Sequence, residues 1–160
     1  WDVDLTGGKD AFVDVDNRVF LIGSRIYAVS YAGGIYALER GTGTIIWRRD
    51  VESAADVEIG DGRLFVASAT GRVSALDLAT GEPLWAFAFQ RALPGSLGSF
   101  GPYLLAFTTA GPVYILDAKT GYPFKKWRGT TGFLAPVERG SSRLYAISNY
   151  GELFGLKLGY

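Results

Sequence analysis

The sequence contains no cysteine, no histidine and no methionine. Without cysteine there is no disulfide, no thiolate zinc site and no thiol nucleophile, and the redox compartment is left open. Without histidine the commonest general base and the commonest transition-metal ligand are gone, so the usual hydrolytic triads have no base to work with. Without methionine the residues given cannot begin at a translation start; the chain is expected to be a processed or truncated piece of something longer, any signal peptide or lipid anchor having gone with that start. Asparagine is scarce, at Asn17 and Asn149. An excess of charge of one sign is lacking too: 16 Lys and Arg balance 16 Asp and Glu. No whole-chain field therefore marks a nucleic-acid or anionic-membrane partner, and recognition has to be local. No apolar run approaches the roughly 18 residues of a membrane-spanning helix, and the N-terminus lacks the basic-then-apolar pattern of a secretory signal.

What is present is a repeat. Of 160 residues, 48% are hydrophobic and 20% charged, a composition that suits one globular domain with a real core. The chain writes one hairpin three times: "IYALERGTGTIIW" (35–47), "VSALDLATGEPLW" (73–85) and "VYILDAKTGYPFKKW" (113–127). Leu38, Leu76, Leu116 and Leu156 are spaced by 38, 40 and 40 residues. Five residues before each stands Gly33, Gly71, Gly111 or Gly151, and five after the first three stands Gly43, Gly81 or Gly121. Tyr27, Phe65, Leu105 and Tyr145 hold a further apolar position in the same register.

Each unit is written in short runs of Val, Ile, Tyr, Phe and Ala punctuated by glycine-containing turns, which predicts strands and hairpins and no helix. "RLFVASA" (63–69) is apolar on both alternating faces, as expected of a sheet packed between two neighbours. Repeats near 40 residues with about four strands each predict an all-β fold, a β-propeller with four-stranded antiparallel blades. The chain then reads as a single propeller segment over 1–160, with a displaced outer strand at 1–5 ("WDVDL") and blades at about 11–50, 55–90, 95–130 and 133–160. This amounts to about four blade-equivalents. Trp47 and Trp85, at the same place in successive hairpins, are expected to fill the space between sheets. Lys125 takes that place in the third unit, so Phe124 or Trp127 has to substitute.

The pattern A-x-D-x-x-x-G-x-x-x-W resembles the tryptophan-docking motif of the pyrroloquinoline-quinone (PQQ)-like propellers. Ala75, Asp77, Gly81 and Trp85 match it fully; Ala37, Gly43 and Trp47 match with Glu39 in the acidic place; Asp117 and Gly121 match a degraded third copy. Within that superfamily the order of segments is similar to the C-terminal half of the BamB family, eight-bladed propeller lipoproteins of the outer-membrane β-barrel assembly machinery. The resemblance rests on "DVD" at 14–16 ahead of "RVFLIGSRIYAVSYAGGIYALERGTGTIIWRRDV", on "VEIGDGRLFVASATGRVSALDLATGEPLW", and on the closing "GSSRLYAISNYGELFGLKLGY". It implies a periplasmic, outer-membrane-associated scaffold without cofactor, in which an N-terminal strand completes the last blade. It also implies that Asp14 and Asp16, on an interblade loop, contact the POTRA domains of the partner BamA. Asn17, Arg18 and Val19 depart from the small polar residues and proline often found after that motif.

The remaining candidates are weaker. Asp14 and Asp16 read equally as solvated loop carboxylates, and a calcium loop fails because Arg18 and Arg25 stand where oxygen ligands are needed. "TGGKD" (6–10) lacks phosphate-loop spacing and reads as a flexible joint. "RALPGSLGSF" (91–100) reads as the longest irregular connection inside the repeat. The expected function is non-catalytic protein binding. A PQQ-like sensor or ligand-binding propeller of a signalling protein is the alternative, and a fragment of a quinone-dependent dehydrogenase a weaker one, since fold does not fix function. Exposed blade edges are expected to favour self-association.

Overall fold

The structure, a computed structural model, describes residues 1–5, 19–30, 34–51, 53–128 and 131–157. Among these the chain is all-β, with four antiparallel sheets following one another in sequence. The first holds β1 (Val19–Ile22), β2 (Arg25–Ser30), β3 (Gly34–Glu39) and β4 (Ile45–Arg49). The second holds β5 (Ala54–Gly60), β6 (Arg63–Ser68), β7 (Arg72–Asp77) and β8 (Pro83–Ala88). The third holds β9 (Pro94–Phe100), β10 (Tyr103–Thr108), β11 (Val113–Asp117) and β12 (Pro123–Trp127). The fourth, three-stranded among the described residues, holds β13 (Glu138–Arg139), β14 (Leu144–Ile147) and β15 (Leu153–Leu156). Every sheet is a meander in which each strand pairs with its sequence neighbour. These are the blades of a β-propeller. Residues 1–5 form no ladder among the described residues.

The blades stack because both faces of each sheet are apolar. One face of the first blade (Tyr27, Val29, Ile35) and one of the second (Val57, Leu64, Val66) make a single buried cluster. The other face of the second (Phe65, Ala67, Val73) packs on the third (Leu97, Leu104, Ala106). The third in turn offers Leu105, Phe107 and Val113 to Val137, Leu144 and Ala146 of the fourth. The strand period of two sends neighbouring residues of one strand into different interfaces. That is why "RLFVAS" carries no polar side and yet sits in a water-exposed protein.

Arg91 to Phe100, expected as an irregular connection, contains β9, and the reading of a long loop is corrected. Its glycines answer to close packing. A Cβ on Gly98 would lie 3.1 Å from side-chain atoms of both Leu144 and Val137 in the next blade. β9 is also held by its neighbours: Asp56 of β5 accepts hydrogen bonds from Ser96 Oγ (3.1 Å) and Leu97 N (2.7 Å), and Glu58 accepts from Ser99 Oγ (3.0 Å). Val137 N donates to Ser96 Oγ at 3.2 Å, extending the link to the fourth blade. Small and hydroxylic residues that read as loop composition are thus those that let the first strands of three blades approach one another.

Candidate functional site

Three tryptophans are seated in the same way. Trp47 Nε1 donates to Leu78 O of the second blade (3.4 Å), and Trp85 Nε1 to Ala118 O of the third (3.1 Å). Trp1 Nε1 donates to Arg40 O of the first blade (3.2 Å). Beneath each ring is a glycine: Gly81 under Trp47, Gly121 under Trp85 and Gly43 under Trp1. An ideal Cβ would stand 2.7 Å from Trp47 at Gly81 and 2.5 Å from Trp85 at Gly121, distances at which two carbons collide. The same glycines have φ of +74°, +72° and +73° at positions 43, 81 and 121, a conformation that costs any other residue free energy. Ala37 and Ala75 are fully buried opposite Trp47 and Trp85 in the ladder, where a larger side chain would displace the ring.

The acidic residue of the motif closes the turn that carries the glycine. Asp77 Oδ1 accepts from Ala79 N (2.9 Å), Thr80 N (2.9 Å) and Thr80 Oγ1 (3.0 Å). Asp117 repeats this with Lys119 N, Thr120 N and Thr120 Oγ1. Glu39, one methylene longer, reaches Gly41 N, Thr42 N (3.0 Å) and Thr42 Oγ1. Such side-chain-to-backbone bonds mimic a backbone turn and fix the glycine one residue further on. Backbone and hydroxyl donation from Thr80 holds the Asp77 carboxyl below its ordinary 3.8. At Asp117 partial loss of water pushes upward, but the hydroxyl and amide of Thr120 and the amide of Lys119 outweigh it, and the net direction is again down. These carboxylates are therefore structural anions, engaged by donors that favour the charged form.

The third blade departs from this plan. Lys125 pairs with Ile115 where Trp47 and Trp85 pair with Ala37 and Ala75. Of the two residues expected to substitute, Trp127 does so: its ring meets Phe154 of the fourth blade at 5.5 Å, edge to face. Phe124 does not, since it turns outward and contacts Tyr103 (5.5 Å) and Tyr122 (6.1 Å) of its own blade. The result is an exposed aromatic strip, Tyr122 and Phe124, followed by Lys125 and Lys126. Beside it runs a cleft of about 500 Å³ lined by Leu105, Ile115, Trp127 and Leu156, with Lys125 and Lys157 among its walls. The sequence signal for this strip is the loss of the tryptophan itself, which frees the outer face of β12.

Asp14 and Asp16, the candidate partner contacts, lie outside the described residues. Trp1 is the docking residue that sequence reasoning missed. It stands 46 residues before Trp47 against 38 between Trp47 and Trp85, so it falls out of the period although its place in space is equivalent. Val3 and Leu5 follow it onto the first blade, against Ala28, Tyr36 and Leu38, much as Val51 follows Trp47 onto the second. Among the described residues no group of three or more His, Cys, Asp or Glu is arranged to hold a metal ion. No described helix is long and apolar enough to cross a membrane.

Against this geometry, a family model described as outer membrane protein assembly factor BamB matches residues 1–156. BamB of Pseudomonas aeruginosa is 37% identical over 58 residues, 36% of this chain and 15% of that protein. BamB of Aliivibrio fischeri is 41% identical over 54 residues, 34% of this chain and 14% of that protein. Among solved structures, BamB from Moraxella catarrhalis superposes with a TM-score of 0.78 at 22% identity, over 91% of this chain and 44% of that one. The computationally designed Ika4 protein follows at 0.76 and 13% identity, covering 90% of this chain and 93% of its own. A europium-containing methanol dehydrogenase shares the fold over 70% of this chain and 24% of its own, at 0.63 and 19%. The chain spans less than half the length of the BamB proteins it matches.

Proposed function

Since the chain belongs to the family of outer membrane protein assembly factor BamB, we propose that it is a non-catalytic protein-binding scaffold serving the assembly of β-barrel proteins into the outer membrane. In this reading it is periplasmic, carried on the outer membrane as a segment of a lipoprotein, and binds the POTRA domains of a BamA-like partner. The observation that supports it is the use made of the chain's chemically capable side chains. Glu39, Asp77 and Asp117 are committed to turns, Asp56 and Glu58 to the junction of β5 with β9, and Trp1, Trp47 and Trp85 to blade docking. What the frame leaves to a partner is surface: rim loops held at fixed spacing, and the aromatic and basic strip of β12. In this reading Asp14 and Asp16, which lie outside the described residues, add charge to the contact, and such charge acts chiefly on encounter rate and specificity.

The test is a binding titration against the POTRA region of the barrel-assembly protein from the same organism. Saturable binding that weakens when Asp14 and Asp16 are both changed to Ala supports the scaffold and puts the contact on that loop. Undiminished binding in the double variant keeps the scaffold and removes the two carboxylates from it. A folded sample that does not bind at all refutes the POTRA reading for this chain.

A further inference from the structure

Three of the four blades hold an aromatic ring at one equivalent position of the third strand, and the second blade does not. Tyr36 of β3 pairs across the ladder with Arg48 of β4, and Tyr114 of β11 with Lys126 of β12. Both rings are buried, and each lies under its partner's cation, at 5.6 Å for Arg48 and 4.8 Å for Lys126. Phe154 takes the position in the fourth blade, where it meets Trp127 of the third. In the second blade the same cross-strand pair is Ser74 and Ala86.

These rings fill the space between a blade and the segment before it. Phe87 and Phe89 pack on Tyr114 at 6.0 and 4.8 Å, and Val3 and Leu5 pack against the cluster that holds Tyr36. Between the first and second blades the small pair leaves a cleft of about 510 Å³, lined by Val51, Arg72, Ser74, Leu76, Leu84 and Ala86 among others. Val66, standing where Tyr36 and Tyr114 have Ala28 and Ala106 across the ladder, refills only part of it. Arg49, the counterpart of Phe87, turns away to Gly81 O and the Glu82 carboxylate. Both walls belong to four-stranded blades complete among the described residues, so the opening is a property of this junction.

We infer that the cleft takes an aromatic side chain of a partner polypeptide, seated where Tyr36 and Tyr114 sit in the flanking blades. The fold itself points to this occupant, because the other blades close the same place with a ring. Arg72 is exposed and makes no ion pair among the described residues. It stands two residues from Ser74 on the same face of β7 and supplies the cation that Arg48 and Lys126 supply elsewhere. Asp50, on the opposite wall, is already engaged by Arg48 at 2.7 Å. Leu84, 47% exposed, offers apolar surface to the residues flanking such a ring. That the ring is carried by a protein rests on the scaffold reading, which this contact deepens.

The test uses small probes on the isotope-labelled chain. N-acetyl-tyrosinamide should give a saturable shift of the Val51, Ser74 and Ala86 amides, and N-acetyl-alaninamide none. p-Cresol, the ring alone, should bind no tighter than the tyrosine probe. Ser74→Tyr, Ala86→Arg rebuilds the pair of the first blade; it should abolish the Val51 shift and melt at a temperature at least as high as the parent chain. Arg72→Gln, a surface change, should weaken binding about two- to fivefold, the worth of an exposed cation over a ring. No shift, or equal shifts with both amides, overturns the inference. Binding that survives the filled cleft or ignores Arg72→Gln overturns it too, and tighter binding of p-cresol overturns the polypeptide as occupant. None of these probes involves the POTRA region, so failure here leaves the scaffold to its own titration.

Discussion

Trp47 of the first blade lies against Gly81 of the second, its Nε1 donating to Leu78 O at 3.4 Å, with no room between them for a methyl group. The same relationship joins Trp85 to Gly121 and Trp1 to Gly43. A large ring and a residue without a side chain are thus two halves of one joint, and each can be tested without the other.

Replacing Gly81 with Ala should destabilise the chain by about 2–4 kcal/mol, the sum of a left-handed backbone on an L-residue and a Cβ driven into the indole. Gly62→Ala separates the two effects. Gly62 has φ +69° with nothing within 4 Å of the added Cβ, so only the backbone contribution, about 1–2 kcal/mol, should appear. Urea unfolding at constant slope reads both; equal losses at the two positions would refute the steric half of the joint.

Trp85→Ala should cost about 3–5 kcal/mol, because the ring fills the space between the second and third blades and leaves a cavity there. Trp85→Phe keeps much of the packing but drops the 3.1 Å bond to Ala118 O, and its loss should be smaller. Thermal unfolding of the two variants ranks them, and a Phe variant as unstable as the Ala variant would make the hydrogen bond the dominant contribution.

The link between β5 and β9 should show coupling between its partners. Asp56→Ala removes the acceptor of Ser96 Oγ and Leu97 N and should cost about 1–3 kcal/mol, since donors on two buried residues are left without it. Ser96→Ala loses one of those bonds together with the acceptor of Val137 N. A double-mutant cycle should give an interaction of about 0.5 kcal/mol or more; strict additivity would mean that the two side chains act separately.

Acid should loosen the turns. Asp77 and Asp117 both lie below the ordinary 3.8 in the folded chain. A carboxyl lowered on folding contributes stability that is complete above its unfolded value and is lost as pH falls through the folded one. Stability should therefore be flat above about pH 5 as far as these two groups are concerned, and decline from about pH 4 downward. In Asp77→Asn, Asp117→Asn the decline should be shallower, the amide oxygen still accepting from the turn without a proton to take up. An unchanged acid slope in that double variant would assign the decline to other carboxylates.

Much of this architecture could be read from the sequence because the forces that set it are local or periodic. Alternating apolar residues, a glycine where φ must be positive and an acid four residues ahead of it are satisfied within one hairpin, and the hairpin repeats. Gly81 and Asp77 were legible for that reason. The strand at Pro94–Phe100 was not, because Ser96, Gly98 and Ser99 take their places from Asp56 and Glu58 of one neighbour and Leu144 and Val137 of another. Composition cannot report partners forty residues away. The role of Trp1 was hidden for a similar reason, since the longer connection after it breaks the period while the blade packing stays equivalent.

The sequence by itself determined an all-β chain of propeller blades, since spacing and residue type are enough to specify a hairpin and the pattern that recurs with it. Only the tertiary structure decided which faces of those blades are covered. Tyr145, Ile147 and Leu153 carry the same kind of side chain as Leu105, Phe107 and Val113, and nothing in their own segment distinguishes exposed from buried. Burial belongs to the neighbour that a sheet finds in space, and the end blades of this stack have one neighbour fewer among the described residues.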